Sequence, residues 1–200
     1  MYEKILFPFD GSDGAAEVLH HTGELAHWVD GSIRLLYVAD TNEVSVTRVE
    51  NDVLDGLVEK GEQILSEAGD TLDTLDVRYT TDVVQGTPAE TIVTYGEEHD
   101  FDVIVMPTSG RQGISRFLLG SVTEKVVRLS ETPVLTARMA ADEEFVVPFD
   151  RILVPTDGSK AAASATEHAF DLASTMDADL HALSVVDTGA FSSDVRSERL

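Results

Sequence analysis

Apolar runs and helix-period segments alternate along residues 5–137, and this alternation constrains the fold more than any other feature of the chain. Ile5-Leu6-Phe7-Pro8-Phe9 is a short apolar run closed by Asp10-Gly11-Ser12, a turn and helix-cap cluster. Leu19, Ala26 and Val29, with Val18, Leu25 and Trp28 beside them, then recur at helical spacing. Residues 33–38 read as a second strand, 46–68 as a longer helix and 77–84 as a third strand. Gly86-Thr87-Pro88-Ala89-Glu90 opens a helix, with Pro88 in its first turn and Thr87 as its N-cap. A strand at 103–106, a helix at 122–129 and a short strand at 132–137 complete the series. The order β-α-β-α-β-α-β-α-β predicts an α/β fold, a five-stranded parallel, doubly wound (Rossmann-like) sheet with helices on both faces. In such sheets ligands bind beyond the strand C-termini, where the winding reverses. If the first strand lies beside the fourth, Asp10 and the loop 107–121 face one crevice.

The segment 101–121 carries the most chemistry. Its apolar strand runs into a polar loop with glycines, and Gly120-Ser121-Val122-Thr123-Glu124-Lys125 then starts a helix. A strand, a small-residue loop and a helix N-terminus together suit a phosphate group. Backbone N–H groups converge there, and the first helical turn carries partial positive charge.

Charge excludes several partners. Asp and Glu number 37 against 14 Lys and Arg, a formal net charge of −23. Such a surface disfavours nucleic acids and anionic membranes. Lysine occurs only at Lys4, Lys60, Lys125 and Lys160, and this scarcity favours a protein built for a very salty cytoplasm, where counterions screen self-repulsion. The opening Met-Tyr-Glu-Lys-Ile does not read as a signal peptide, so a cytoplasmic location is expected. With no cysteine, disulfides and thiolate metal sites are excluded. His20 and His27 share a helix face but are too far apart for simple chelation, and no metal site is expected.

The chain then begins again. Arg151-Ile-Leu-Val-Pro-Thr-Asp-Gly-Ser matches Lys4-Ile-Leu-Phe-Pro-Phe-Asp-Gly-Ser, an offset of 147 residues from Asp10 to Asp157. Leu25 and Leu172, Leu36 and Leu183, and Val38 and Val185 keep that offset. The expected organisation is a full domain at 1–138, an acidic linker at 139–149 and an incomplete second copy at 150–200. The second copy has no equivalent of segment 101–121. Two strands and one helix cannot close a core alone. It either docks on the first domain, exchanges with another chain or is part of a longer tandem protein, and the last is favoured.

Pro-x-Asp-Gly-Ser after the first strand, Gly-x-Pro-Ala at 86–89 and Leu-Leu-Gly-Ser-Val-Thr-Glu at 118–124 together resemble the universal stress protein family. The family's loop signature is Gly, two residues, Gly, nine residues, then Gly-Ser or Gly-Thr. Counting back from Gly120-Ser121 makes Gly110 the second glycine and puts Pro107 at the first. The resemblance implies an ATP-binding, stress-response signalling module that switches conformation with occupancy, with Mg2+ as a companion of the phosphates. It implies nucleotide contacts at Pro8, Asp10 and Val38 near adenine and sugar, with Met106 and Pro107 as the floor of the ribose. Gly110, Gly120, Ser121, Val122 and Thr123 would hold phosphate, and Arg111 could reach one. Proline has no N–H to donate, so Pro107 either packs under the sugar or weakens binding. The resemblance also implies a homodimer across the edge run Pro133-Val134-Leu135-Thr136-Ala137, and unidentified protein partners.

No catalytic constellation emerges. There is no Gly-x-Ser-x-Gly elbow, no His-Glu-x-x-His and no Walker signature. A non-enzymatic binding module is expected, with at most slow, incidental ATP hydrolysis. Two alternatives stand beside it. One is a family member that works only through protein contacts, and the other is an adenine-nucleotide-dependent enzyme.

Overall fold

The computed structural model describes residues 2–41, 50–108, 119–137 and 146–185. The chain divides into two compact units, 1–147 and 148–200. The first contains β1 (Lys4–Pro8), α1 (Asp13–Trp28), β2 (Ser32–Asp40), α2 (Glu50–Thr74), β3 (Arg78–Gly86), α3 (Pro88–Glu98), β4 (Val103–Pro107), α4 (Ser121–Leu129) and β5 (Val134–Ala137). The sheet is wholly parallel, in the order β3-β2-β1-β4-β5. β1 therefore lies beside β4, and the winding reverses between them.

Strand alternation builds two cores. Leu6, Leu36, Ile104 and Met106 point to one face, where they pack with Ile92, Val93 and Tyr95 of α3 and Val126 of α4. Ile5, Phe7, Ile33 and Leu35 point to the other and are fully buried with Leu19 and Leu25 of α1 and Leu65 and Leu72 of α2. Both faces are covered, as a parallel sheet requires. On the first face Arg34 donates to the Tyr95 hydroxyl at 2.6 Å, and that hydroxyl donates to Asp82 at 2.8 Å. Burial and the Asp82 bond push the Tyr95 phenol above its ordinary pKa, while Arg34 pulls the other way.

One helix runs further than the sequence spacing predicts. The helix expected at 46–68 continues to Thr74, because Leu65, Ala68 and Leu72 extend one buried stripe. Residues 46–49 lie outside the described residues. Four helices are followed by aspartate in the left-handed region, at Asp30, Asp76, Asp100 and Asp177, with φ of 51°, 54°, 52° and 54°. The next N–H in each case returns to the last turn, as in Gly31 to Ala26 O at 2.8 Å and Phe101 to Gly96 O at 3.2 Å. Glycine is the usual residue there, and a carboxylate also opposes the partial negative charge of a helix C-terminus.

The second unit holds β6 (Arg151–Pro155), α5 (Lys160–Met176) and β7 (Asp179–Leu183), with β6 and β7 parallel. Its register repeats that of β1 and β2. Arg151 pairs with Asp179 and Pro155 with Leu183, as Lys4 pairs with Ser32 and Pro8 with Leu36. Even the turn geometry returns, since Gly11 and Gly158 both have φ of +78°. Burial does not return. Leu6 and Leu36 are 0 % exposed, whereas Leu153 and Leu183 are 62 % and 46 % exposed. In the first unit α3 and α4 cover that face, and among the described residues the second unit has no such helices.

Asp100→Gly removes both penalties of its position. It should stabilise the protein by about 1 kcal/mol, read as a higher denaturation midpoint in molar KCl.

Candidate functional site

The β1–β4 ladder contains Ile5 with Val103 and Leu6 with Ile104, and it stops there. Backbone geometry explains the stop. Phe9 N–H donates to Leu36 O at 2.9 Å, so odd residues of β1 face β2 and even ones face β4. Ile104 N–H donates to Pro133 O and Thr108 N–H to Ala137 O, each at 2.9 Å, so odd residues of β4 face β1. The next rungs would run from the nitrogen of Pro8 to Val105 O and from the nitrogen of Pro107 to Pro8 O. Neither nitrogen carries a hydrogen. Two prolines therefore face each other across the seam and leave it unpaired at the sheet's C-terminal edge. The absent N–H of Pro107 is a lost strand rung. The sequence reading leaves two outcomes for Pro107, packing under the sugar or weaker binding, and the orientation of β4 adds that its nitrogen faces β1.

Beside this gap stands the Asp10 turn. Asp10 Oδ1 accepts from Ser12 N–H at 3.0 Å and from the Ser12 hydroxyl at 2.6 Å. Ser12, and not Asp10, is the N-cap of α1, accepting from Ala15 N–H at 3.3 Å. Asp157 and Ser159 repeat the arrangement, with Ser159 N–H to Asp157 at 2.9 Å and Ala162 N–H to Ser159 at 3.1 Å. The bonds from Ser159 hold the Asp157 carboxyl below its ordinary pKa.

On the other side, α4 is fixed over the end of β4. The Thr123 hydroxyl, buried at 5 % exposure, donates to Pro107 O at 2.9 Å. Gly120 N–H donates to Thr108 O at 2.8 Å and ties the start of α4 to the end of β4. The first intrahelical bond runs from Glu124 N–H to Gly120 O at 2.8 Å. The amides of Ser121, Val122 and Thr123 precede it and have no acceptor within the helix. They form the positive end of α4, next to the unpaired seam.

The expected site residues thus gather at one edge. Pro8, Asp10, Met106, Pro107, Gly120, Ser121, Val122 and Thr123 come from the ends of β1 and β4 and the start of α4. Val38 lies two residues beyond Leu36, the partner of Pro8, and packs against the core under α3. Gly110 and Arg111 lie outside the described residues. Pro8, Met106, Pro107 and Thr123 are buried, whereas Ser121 is exposed. Two residues were not anticipated. Ser12 orients Asp10, and the Asp-Gly-Ser cap cluster could have signalled that. Thr108 holds Gly120 through backbone atoms alone, which no side-chain pattern announces. Among the described residues, no group of three or more His, Cys, Asp or Glu side chains could hold a metal ion. No described helix is long and apolar enough to cross a membrane.

A doubly wound parallel sheet whose winding reverses between β1 and β4, with a helix N-terminus beside the reversal point, defines a class of α/β folds. Comparison with known proteins narrows the class. The universal stress protein family model matches residues 1–138 and again 148–198. The chain belongs to the universal stress protein family. It is 32 % identical over 146 residues to a universal stress protein of Methanocaldococcus jannaschii, covering 72 % of this chain and 86 % of that one. A solved universal stress protein from Archaeoglobus fulgidus is similar over 96 % of this chain and 69 % of its own, at 28 % identity and a TM-score of 0.72. A universal stress protein solved in complex with cAMP matches 70 % of this chain and 99 % of its own, at 25 % identity and a TM-score of 0.56.

Thr123→Val removes the hydroxyl and leaves the Pro107 carbonyl buried without its donor. The expected cost is about 1–3 kcal/mol in chemical denaturation, with Thr123→Ser close to wild type.

Proposed function

We propose that this protein is a stress-response module that binds an adenine nucleotide, ATP in the reading taken from its sequence, and acts through occupancy rather than through chemistry. The observation that carries the proposal is the placement of the α4 amides, Ser121 to Thr123, over the open end of the β1–β4 seam. Phosphate would lie against those amides and the Ser121 hydroxyl. Adenine and ribose would lie toward Asp10, Val38 and Met106, where a carboxylate accepts hydrogen bonds and apolar side chains pack on a ring. The relative solved with cAMP supports an adenine nucleotide as the ligand class. Mg2+ would accompany the phosphates and offset their repulsion from a chain of net charge −23. That charge also supports a salty cytoplasm as the working environment.

A second reading rests on the donors already spent. Pro107 has no N–H, Gly120 N–H is bonded to Thr108, and the Thr123 hydroxyl is bonded to Pro107. A member so furnished could act by protein contacts alone. The two readings separate when the protein is purified in molar KCl, denatured and its released small molecules chromatographed. An adenine nucleotide in the extract, or a rise in Tm of about 5 °C or more with ATP and Mg2+, is expected. Neither signal would favour the contact-only reading. Steady conversion of ATP to product would point to an enzyme.

The proposed homodimer uses β5. Its strand lies at the sheet edge and its side chains are half-buried, while Val127 and Leu129 on neighbouring α4 are 44 % and 49 % exposed. Since Pro133 and Ala137 carbonyls face β4, the N–H groups of Val134 and Thr136 face outward. Thr136→Pro deletes one outward donor and spares the β4 ladder. Light scattering in molar KCl should show a dimer for the wild type and a monomer for Thr136→Pro. A monomeric wild type would sink the assignment.

A further inference from the structure

We propose that Ile64 of α2 is a positioning residue for the candidate site, holding the Gly11 turn so that Asp10 keeps one setting toward the ligand. The inference rests on the adenine-nucleotide reading and adds to it a residue far from any strand end. Gly11 has φ of +78°, and the bare side of its α-carbon faces α2. A Cβ there would stand 3.2 Å from Ile64 Cγ2, 3.4 Å from Cδ1 and 3.6 Å from Cγ1. The branched side chain of Ile64 therefore lies on the middle residue of the Asp10-Gly11-Ser12 turn. Asp10 is bonded across that residue to the Ser12 N–H and hydroxyl. A turn packed at its centre and closed across its ends has few other conformations to visit.

The helix that carries Ile64 is locked against the sheet on both sides of it. At Gly61 a side chain would run into the Tyr37 ring of β2, its Cβ 2.6 Å from Cδ1. At Gly69 it would run into Tyr79 of β3, its Cβ 2.5 Å from the hydroxyl oxygen. Tyrosines from neighbouring strands thus sit in two glycine notches about two turns apart, and Ile64 projects from the stretch between them. Leu65 and Ala68, in the same stretch, are buried.

The second unit supplies the comparison. Its Asp157-Gly158-Ser159 turn has the same φ at glycine and the same bond from the serine N–H to the aspartate. Among the described residues, nothing lies within 4 Å of the place a Cβ of Gly158 would take. One turn is covered and its twin is bare. Asp-Gly precedes the serine amide in both, so local sequence does not separate their hydrogen-exchange rates.

The test is amide hydrogen exchange of the full chain in molar KCl, followed by calorimetric titration with ATP. In the wild type, Ser12 N–H should exchange at least about ten-fold more slowly than Ser159 N–H. Ile64→Ala deletes all three carbons over Gly11 and should bring Ser12 to within about three-fold of Ser159. It should also bind ATP about three- to ten-fold more weakly, the loss of one well-placed hydrogen bond. Ile64→Val keeps Cγ1 and Cγ2 and should restore both readings. A merely structural Ile64 would speed only amides released by global unfolding, such as Ile104, and leave Ser12 and the ATP affinity unmoved, which would overturn the role. Weaker ATP binding with Ser12 unmoved would make Ile64 a ligand contact, and faster Ser12 exchange with equal ATP affinity would detach the turn from the site; either overturns the positioning role. Equal exchange at Ser12 and Ser159 in the wild type overturns it whether or not a variant folds. No binding of ATP by the wild type would overturn the nucleotide reading, and the exchange comparison would still decide whether Ile64 holds the turn.

Discussion

The pairing of Ile5 with Val103 and Leu6 with Ile104 joins strands that the chain separates by 98 residues, and the candidate site hangs on that short seam. Burial drives it. Leu6 and Ile104 are completely buried in one core and Ile5 in the other, so the two strands are clamped from both faces. At the lower end the Asp102 carboxylate accepts from Lys4 N–H at 3.0 Å, and Lys4 O accepts from Asp102 N–H at 3.0 Å. At the upper end two imino nitrogens stop the ladder. A firmly packed base lets the ladder end there without unravelling the sheet.

Helix packing then fixes what faces the rim. Val126 anchors α4 in the core while Thr123 ties its first turn to β4. The helix N-terminus is therefore aimed by a buried side-chain bond together with the backbone bond from Gly120 to Thr108. Asp10 is aimed the same way from the other side, through Ser12. Each group that could touch a ligand is held by a neighbour that need not touch it.

Much of this was readable beforehand. Strict alternation of apolar runs and helical periods decided the parallel sheet, because parallel strands need a long crossover connection, usually a helix. The match of Lys4–Ser12 with Arg151–Ser159 extended to identical strand register and turn geometry. Less readable were the helix ends, since aspartate stands where glycine usually marks a stop, and a carboxylate in an acidic chain draws no notice. The bearing of Pro107 was also hidden. Sequence shows that an N–H is missing, but only the facing of β4 shows which neighbour misses it. Nor could the pattern show that Leu153 and Leu183, so like Leu6 and Leu36, lie open where their counterparts lie covered. Burial depends on α3 and α4, which the second copy does not repeat within the described residues.

The bond from Gly120 N–H to Thr108 O ties the start of α4 to the end of β4 through main-chain atoms alone. Such a bond survives side-chain replacement at either residue as long as the local backbone and the N–H are kept. The bearing of the α4 amides on the sheet therefore rests on two unlike ties, a main-chain bond that tolerates substitution and the Thr123 hydroxyl, which does not.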